Sequence, residues 1–161
     1  MKTISPADLD ALAGAAQRSP RRRMNLNLHA ELADPVQRLA IAMEPDTMVV
    51  PHRHQQTFEL LHPLRGRFVV LHFDEAGMVS ARHVLGEDAA VVETPAGVWH
   101  AVLSLDPGGV IFEVKQGPYL PVGPADCAPW APADGGEDAR ALLDWFSRAR
   151  AGDRWNPAGP G

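Results

Sequence analysis

The chain of 161 residues is long enough for one domain with a substantial core and too short for two of ordinary size. Hydrophobic residues make up 45% and charged residues 22% of the sequence, which is typical of a globular domain. The net charge of −5, with histidine counted neutral, gives no electrostatic reason to expect binding to nucleic acid or to an anionic membrane.

The sequence predicts a cytoplasmic protein. Its single cysteine, Cys127, excludes an intrachain disulfide and fits a reducing compartment. No neighbour in sequence would activate that thiol, so we expect Cys127 to be structural. The N-terminal stretch MKTISPADLD lacks the apolar segment of a secretory signal, and no apolar run is as long as a membrane span.

The chain begins with a helix signature. Ser5 can cap a helix that starts at Pro6 and carries Asp8 in its first turn, and Ser19-Pro20 ends it. The basic run Arg21-Arg22-Arg23 follows, and we interpret it as a solvated loop or a local ion-pair face, with a phosphate-recruiting patch as the alternative. The apolar face of this helix comprises Leu9, Leu12, Ala13 and Ala16.

From about residue 36 the pattern changes to short β-like runs separated by turn signals. The runs are VQRLAIAM, MVV, FELLHPLRG, RFVVLHF, MVSARHVL, AVVETPAG, VWHAVLSL and VIFEVKQG. DEAG between two of them predicts a hairpin loop with Gly77 in the left-handed conformation. This spacing, with no helix between the runs, predicts an all-β antiparallel sandwich or barrel.

Four segments are expected along the chain. Residues 1–20 form the N-terminal helix and residues 21–118 the β-barrel. Residues 119–150 form a Pro-rich linker and a C-terminal helix, over roughly 137–149, that packs on the barrel through apolar residues at helical spacing. Residues 151–161 have the composition of a flexible tail.

The stretch PHRHQQTFE is the strongest chemical signal. His52 and His54 share one face of a strand, whereas Glu59 joins them only if Gln55-Gln56-Thr57 turns or bulges. His100 follows the tight turn PAG. Three imidazoles and a carboxylate would suit one divalent first-row metal, although a pair of exposed strand histidines is the plainer interpretation of HxH alone.

Two segments resemble the conserved motifs of the cupin superfamily. Residues 46–66 are similar to G(X)5HXH(X)4E(X)6G, with Asp46 at the first glycine, and residues 95–104 are similar to PXG(X)2H(X)3N, with Ser104 at the asparagine. The resemblance implies a double-stranded β-helix, or jelly-roll barrel, in one cupin domain with flanking helices. It also implies that His52, His54, Glu59 and His100 bind the metal.

A narrower resemblance is to the WbuC group of small cupin metalloproteins. It covers about residues 20–132 and implies a link to O-antigen or other surface polysaccharide synthesis. The sequence departs from this group at Pro63. Proline has no backbone N–H to donate to a neighbouring strand, so its strand should be bulged or at an edge there. The segments that carry the resemblance are RRRMNLNLH, DPVQRL, PHRH, LRGRFVVLHFDEAG, PAGVWH, EVKQGPY and APWAP.

Other polar residues are candidates for the pocket. His29, Gln37 and Arg38 would lie at the barrel mouth and hold an anionic substrate group, or would serve turns and ion pairs. Glu113, which shares a strand face with Lys115, is either part of an outward ion pair or a buried acid/base element. The catalytic candidates are Arg38, Glu113 and Tyr119.

The remaining histidines are expected outside the ligand set. His62 should face away from Glu59, His72 should lie in the barrel wall and His83 at the surface. Trp99 alternates with His100 and should therefore pack on the side away from the metal.

Two functions from different classes fit these features. The first is a metal-dependent enzyme acting on a small polar or sugar-derived metabolite by isomerase- or dioxygenase-type chemistry. The alternative is a non-catalytic module that binds or senses a small ligand through the same metal. The sequence does not distinguish iron, nickel, zinc or manganese. A homodimer is expected from the family resemblance and from exposed sheet edges.

Overall fold

The structure is a computed structural model that describes residues 1–132 and 137–157. Within these residues a five-stranded sheet, in the order β1-β2-β8-β3-β6, faces a three-stranded sheet in the order β5-β4-β7. All the pairings between these strands are antiparallel, and the two facing sheets with flanking helices form the all-β fold that the two motifs imply. The elements are α1 (Pro6–Arg18), β1 (Arg23–Asn27), β2 (Val36–Met43), β3 (Glu59–Arg65), β4 (Phe68–Phe73), β5 (Val79–Leu85), β6 (Val92–Thr94), β7 (Trp99–Ser104), β8 (Gly109–Gln116), a 3-10 turn (Pro124–Asp126) and α2 (Glu137–Arg148).

Apolar side chains fill three layers. The layer between the sheets includes Leu61, Val70 and Ile111, which are buried because strand side chains alternate between the two faces. On the outer face of the larger sheet, α1 packs against Ala40 and Ala42 of β2, whose small side chains allow a close approach. On the outer face of the smaller sheet, α2 packs on β4 and β7. Both sheets are therefore covered on both faces.

The N-terminal helix forms as its sequence predicts. The hydroxyl of Ser5 accepts a hydrogen bond from the backbone N–H of Asp8 at 3.3 Å, and the Asp8 carboxylate accepts one from the backbone N–H of Ser5 at 2.8 Å. This reciprocal capping satisfies two donors that would otherwise have no partner in the helix. The helix ends at Arg18, before Ser19-Pro20.

The strand predictions hold with two exceptions. VQRLAIAM is β2, but MVV at 48–50 forms no strand, and β1 was not among the predicted strands. Pro63 lies where β6 no longer pairs with β3, and the register with β8 shifts between Pro63 and Arg65, so the predicted edge and bulge are confirmed. Gly77 has φ of +79° in the hairpin loop, as expected.

The C-terminal region lies against the smaller sheet. Residues 152–155 differ from the expected frayed tail, because the backbone of Val79 exchanges 2.8 Å hydrogen bonds with Gly152 and Asp153, and Trp155 packs on the core. Residues 133–136 of the linker and 158–161 of the tail lie outside the described residues. Within the described ranges, no helix combines the length and the apolar character that a membrane crossing requires.

Candidate metal centre

The loop between β2 and β3 carries the two histidines of PHRH and is bridged at His52 to β7 and to the linker. The backbone N–H of His52 donates to the carbonyl of His100 at 3.0 Å, and the N–H of His100 donates to the carbonyl of His52 at 2.8 Å. On its other side, the carbonyl of Pro51 accepts from Ala128 of the linker at 2.8 Å. The segment is therefore held between β7 and the linker, with its imidazoles at the barrel interior.

Glu59 reaches the same point from β3. The chain bends at Gln55 and Gln56, as the shared site requires, and β3 begins at Glu59 with its side chain buried. The Nε2 atom of His54 lies 3.1 Å from Oε2 of Glu59, and Nε2 of His100 lies 3.5 Å from Oε1. One possible ligand atom from each of His52, His54, Glu59 and His100 lies within 4.8 Å of the other three.

Backbone carbonyls orient two of the imidazoles. Nδ1 of His52 lies 3.0 Å from the carbonyl of Val50, and Nδ1 of His100 lies 3.0 Å from the carbonyl of Val98. Each Nδ1–H therefore donates to a carbonyl, and the lone pair of each Nε2 faces the site. Nε2 of His100 is buried and has no hydrogen-bond partner among the described residues. An acceptor nitrogen held in this way suits a metal ion.

The electrostatics of the site differ from one candidate ligand to the next. Burial would lower the pKa of His100, but the neighbouring carboxylate of Glu59 raises it. Burial and the nearby charge of His100 lower the pKa of His52 to about 4. Burial alone would raise the pKa of Glu59, but the imidazoles of His100 and His54 and the ammonium of Lys115 lower it well below its usual range. At neutral pH His52 is thus neutral and Glu59 ionised, and both can act as ligands.

A cavity of about 540 Å³ opens beside His52, His54 and Glu59, a size that is ordinary for a ligand pocket. One row of paired positions crosses the larger sheet at the metal end of the cavity, and its members are polar. Gln37 is opposite Lys115, Lys115 is opposite Glu59, and Glu59 is opposite Thr94.

Glu113 and Lys115 face this cavity, so the interpretation as an outward ion pair is wrong. Nζ of Lys115 lies 2.6 Å from Oε1 of Glu113 and 3.9 Å from Oε2 of Glu59. Burial and the negative charge of Glu59 raise the pKa of Glu113, against the opposing effect of Lys115. Burial would lower the pKa of Lys115, but the two carboxylates raise it.

The other pocket candidates divide between the two faces of β2. His29 and Gln37 are buried and line the cavity, and the Gln37 amide donates to the carbonyls of two residues in the preceding loop. Arg38 lies on the opposite face and does not line the cavity, and its Nε donates to the carbonyl of Val36. Its proposed contact with substrate therefore lacks structural support. Tyr119 lies at the cavity mouth, 44% exposed.

The remaining histidines lie outside the ligand group, as expected. His62 is exposed, and its Nδ1 lies 2.9 Å from the carbonyl of Ala90. His72 is half-buried in the barrel wall, with Nε2 at 2.9 Å from the hydroxyl of Thr94. His83 is half-buried rather than fully exposed, and its ring centroid lies 6.3 Å from that of His72. Trp99 packs in the outer core, away from the metal ligands.

Three polar residues of β1, Arg23, Asn25 and Asn27, line the cavity, and Cys127 lines it from the linker. Arg23 was expected in a solvated loop, an ion-pair face or a phosphate-recruiting patch, and Asn25 was not a candidate from the sequence. The alternation in RMNLN is the local signal for β1, because alternate residues of a strand share a face, but it is weak in so short a strand. No local pattern places Cys127 there, since its position depends on the long-range contact between the linker and the histidine loop.

A family model described as a domain of unknown function, DUF6016, matches residues 4–85, just over half of the chain. The protein belongs to the DUF6016 family. The matched segment includes β1 to β5 and three of the four candidate ligands, whereas His100 lies beyond it. The search of curated proteins found no match.

Solved structures with similar folds share little sequence with this DUF6016 protein. KdgF from Halomonas sp. is 13% identical, with a TM-score of 0.50 over 64% of this chain and 85% of its own. TT1209 from Thermus thermophilus is 18% identical, with a TM-score of 0.52 over 68% and 93%. The 11S allergen from Cocos nucifera L. is 17% identical, with a TM-score of 0.52 over 65% and 30%. At these identities the likeness is one of fold.

Proposed function

We propose that this DUF6016 protein is a metal-dependent enzyme that acts on a small polar or sugar-derived metabolite. One divalent transition metal would be held by His52, His54, Glu59 and His100. The observation that carries the proposal is the convergence of their ligand atoms to within 4.8 Å of one another. When bound, the metal would supply Lewis-acid polarisation of a carbonyl or hydroxyl group, or activation of water or dioxygen.

The ion pair beside the ligands favours an enzyme over a binding module. A module that only holds a ligand needs no proton-transfer group, whereas Glu113 and Lys115 place a carboxyl group and an ammonium group in the cavity. Burial and the charge of Glu59 raise the pKa of Glu113, which suits a proton acceptor, and Lys115 can donate a hydrogen bond to a substrate oxygen. Such a pair suits the proton transfers of isomerisation.

Two narrower predictions accompany this proposal. The resemblance to the WbuC group would associate the reaction with surface polysaccharide synthesis. A homodimer would protect the exposed edges of the sheets. The link to polysaccharide synthesis and the homodimer both remain predictions.

Elemental analysis of tag-free protein tests the metal site. We expect near-stoichiometric iron, nickel, zinc or manganese in the wild type and loss of that metal in His52→Ala and His100→Ala, because each substitution removes a ligand. His62→Ala is the matched control, since His62 faces away from the site, and it should retain the metal.

The metal found would direct the search for a reaction. Iron or manganese would direct it towards dioxygen chemistry, and zinc or nickel towards Lewis-acid chemistry. A folded wild type that neither carries nor takes up metal would overturn the proposed function.

A further inference from the structure

The first strand turns a polar face towards the cavity. Arg23, Asn25 and Asn27 are paired with Met43, Ile41 and Leu39, whose side chains line the cavity. The intervening Leu26 packs on the opposite side in the cluster with α1. β1 thus places apolar atoms under a helix and polar atoms along the cavity wall, a pattern that suits ligand binding.

The charge on this wall has no protein counterion among the described residues. The neighbouring Arg22 is bound to Asp46, with Nε 3.1 Å from Oδ1. Arg23, by contrast, is half-buried on the cavity wall, and its guanidinium forms no ion pair or hydrogen bond within residues 1–132 and 137–157. A planar guanidinium in this setting is suited to bidentate binding of a carboxylate or phosphate.

His29 supplies an independent sign that the wall awaits a ligand. The imidazole is only 5% exposed, and its Nδ1 lies 3.0 Å from both the backbone nitrogen and the carbonyl oxygen of Arg38. Arg38 can therefore satisfy Nδ1 in either tautomer of the ring. Nε2 is buried at the cavity and has no partner among the described residues. Buried polar atoms without a partner are rare in native proteins unless a ligand or water completes them.

The length of the wall limits the size of the ligand. Arg23 and Asn27 are four residues apart, which is about 13 Å along an extended strand. A ligand that reaches from the guanidinium to the amide is therefore longer than one sugar ring. The cavity also exposes apolar side chains from Leu120 and Val122 of the linker, which suit the C–H faces of sugar rings.

We propose that β1 and His29 form the substrate-recognition wall of the cavity, and that the ligand is an acidic saccharide of at least two units. Arg23 binds its carboxylate or phosphate group, and Asn25, Asn27 and Nε2 of His29 bind its hydroxyl groups. This inference rests on the proposed function, because it names the substrate class of the same metal-containing cavity.

Calorimetric titration of the metal-loaded protein with matched saccharides tests the inference. The carboxylate arm compares digalacturonate with neutral galactobiose, and the phosphate arm compares maltose 1-phosphate with maltose. Galacturonate, a single acidic sugar, tests whether the ligand must be longer than one sugar ring. We expect one anionic disaccharide to bind roughly tenfold or more tightly than its neutral counterpart, because charge-assisted hydrogen bonds exceed neutral ones by about this factor. It should also bind more tightly than the monosaccharide, because one ring does not reach from Arg23 to Asn27. The arm that shows the preference identifies the anionic group.

Three variants locate the contacts. Arg23→Gln should abolish the preference for the anion. Arg38→Gln is the control, since that side chain lies on the other face of β2, and it should retain the preference. His29→Asn keeps a polar side chain that can bond to the Arg38 backbone but removes the ring nitrogen Nε2, and it should weaken binding of the preferred disaccharide about 3- to 10-fold with metal content unchanged.

The results separate this inference from the proposed function. A metal-loaded wild type that binds no anionic disaccharide better than its neutral partner, or an Arg23→Gln variant that keeps the preference, would overturn the recognition wall and leave the metal site standing. Protein that takes up no metal but shows the Arg23-dependent preference would support the wall and overturn the metalloenzyme.

Discussion

At the scale of single residues, His72 shows how the wall behind the metal ligands responds to pH. It is paired across β4 and β7 with His100, and its Nε2 is hydrogen-bonded to Thr94 at 2.9 Å. Burial, with the nearby charges of His100 and His83, lowers the pKa of His72 from 6.5 to about 4. In the folded protein His72 therefore remains neutral at pH values where an unfolded chain would protonate it.

This shift predicts a pH dependence of stability in the metal-free protein. Between pH 6.5 and about 4 the unfolded state binds the additional proton, so the free energy of unfolding falls as the pH falls through this window. His72→Gln can keep a hydrogen bond to Thr94 but cannot titrate. Urea unfolding at several pH values should show a smaller loss of stability in the variant than in the wild type. An equal loss of stability in the variant and the wild type would contradict a pKa of about 4 for His72.

Most of the metal site could be predicted from the sequence, but little of its surroundings could. The resemblance to the two motifs implied all four residues that converge, whereas strand alternation alone placed only His52 and His54 on one face. Which face of β8 carries Glu113 could not be read in the same way. The alternate residues Phe112 and Val114 are apolar, yet they face outwards, and Phe112 packs against the cluster under α1. When a helix covers the outer face, apolar character no longer identifies the interior.

At the scale of elements, β1 illustrates the same limit. Its five residues are too short and too polar to give a clear strand signal. The strand forms because Arg23 to Asn27 pair with Met43 to Leu39 and because α1 covers its outer side. Its neighbour β2 needs no such support, because it is long and most of its residues are β-branched or apolar. The limits of β2 were predicted correctly from the sequence.

The hairpin between β4 and β5 depends on a glycine for two separate reasons. Gly77 has φ of +79°, and a Cβ there would lie 2.8 Å from Nε1 of Trp130 in the linker. Gly152 has φ of +93°, but a Cβ there would meet nothing within 4 Å, so it needs glycine for its backbone alone. Substitutions at Gly77 and Gly152 therefore separate the cost of a left-handed backbone from the cost of a steric contact.

We expect Gly152→Ala to cost about 1 kcal/mol of unfolding free energy through its left-handed backbone. Gly77→Ala should cost about 1–3 kcal/mol more, because the Trp130 indole must also move. Urea unfolding measures both values, and the change in tryptophan fluorescence should be confined to Gly77→Ala. Equal costs would show that the linker does not pack on the hairpin as described.

At the scale of the whole molecule, the candidate metal site joins the two sheets. Glu59 belongs to β3 of the larger sheet and His100 to β7 of the smaller one. A ligand that binds the folded state alone stabilises it by mass action, and the gain is about 2.7 kcal/mol at a free concentration 100 times the Kd. The metal should therefore stabilise the contact between the sheets as well as the cavity.

Thermal unfolding with and without metal tests this connection. At that concentration the bound metal should raise the Tm by roughly 5–10 °C for a chain of this length. His54→Ala should show little or no increase, because it lacks one ligand. An equal increase in the variant would mean that the ion binds elsewhere.

The histidine loop has backbone neighbours on both sides, β7 through His100 and the linker through Ala128. It is thus held by backbone hydrogen bonds on both sides rather than left as a free loop, although it contributes no strand of its own. Its imidazoles are preorganised, so little conformational entropy remains to be lost when an ion arrives. A rigid cage discriminates between ions by size and angle instead of adapting to each. Substitutions in the linker, which contributes none of the four ligands, can therefore change which element the protein selects.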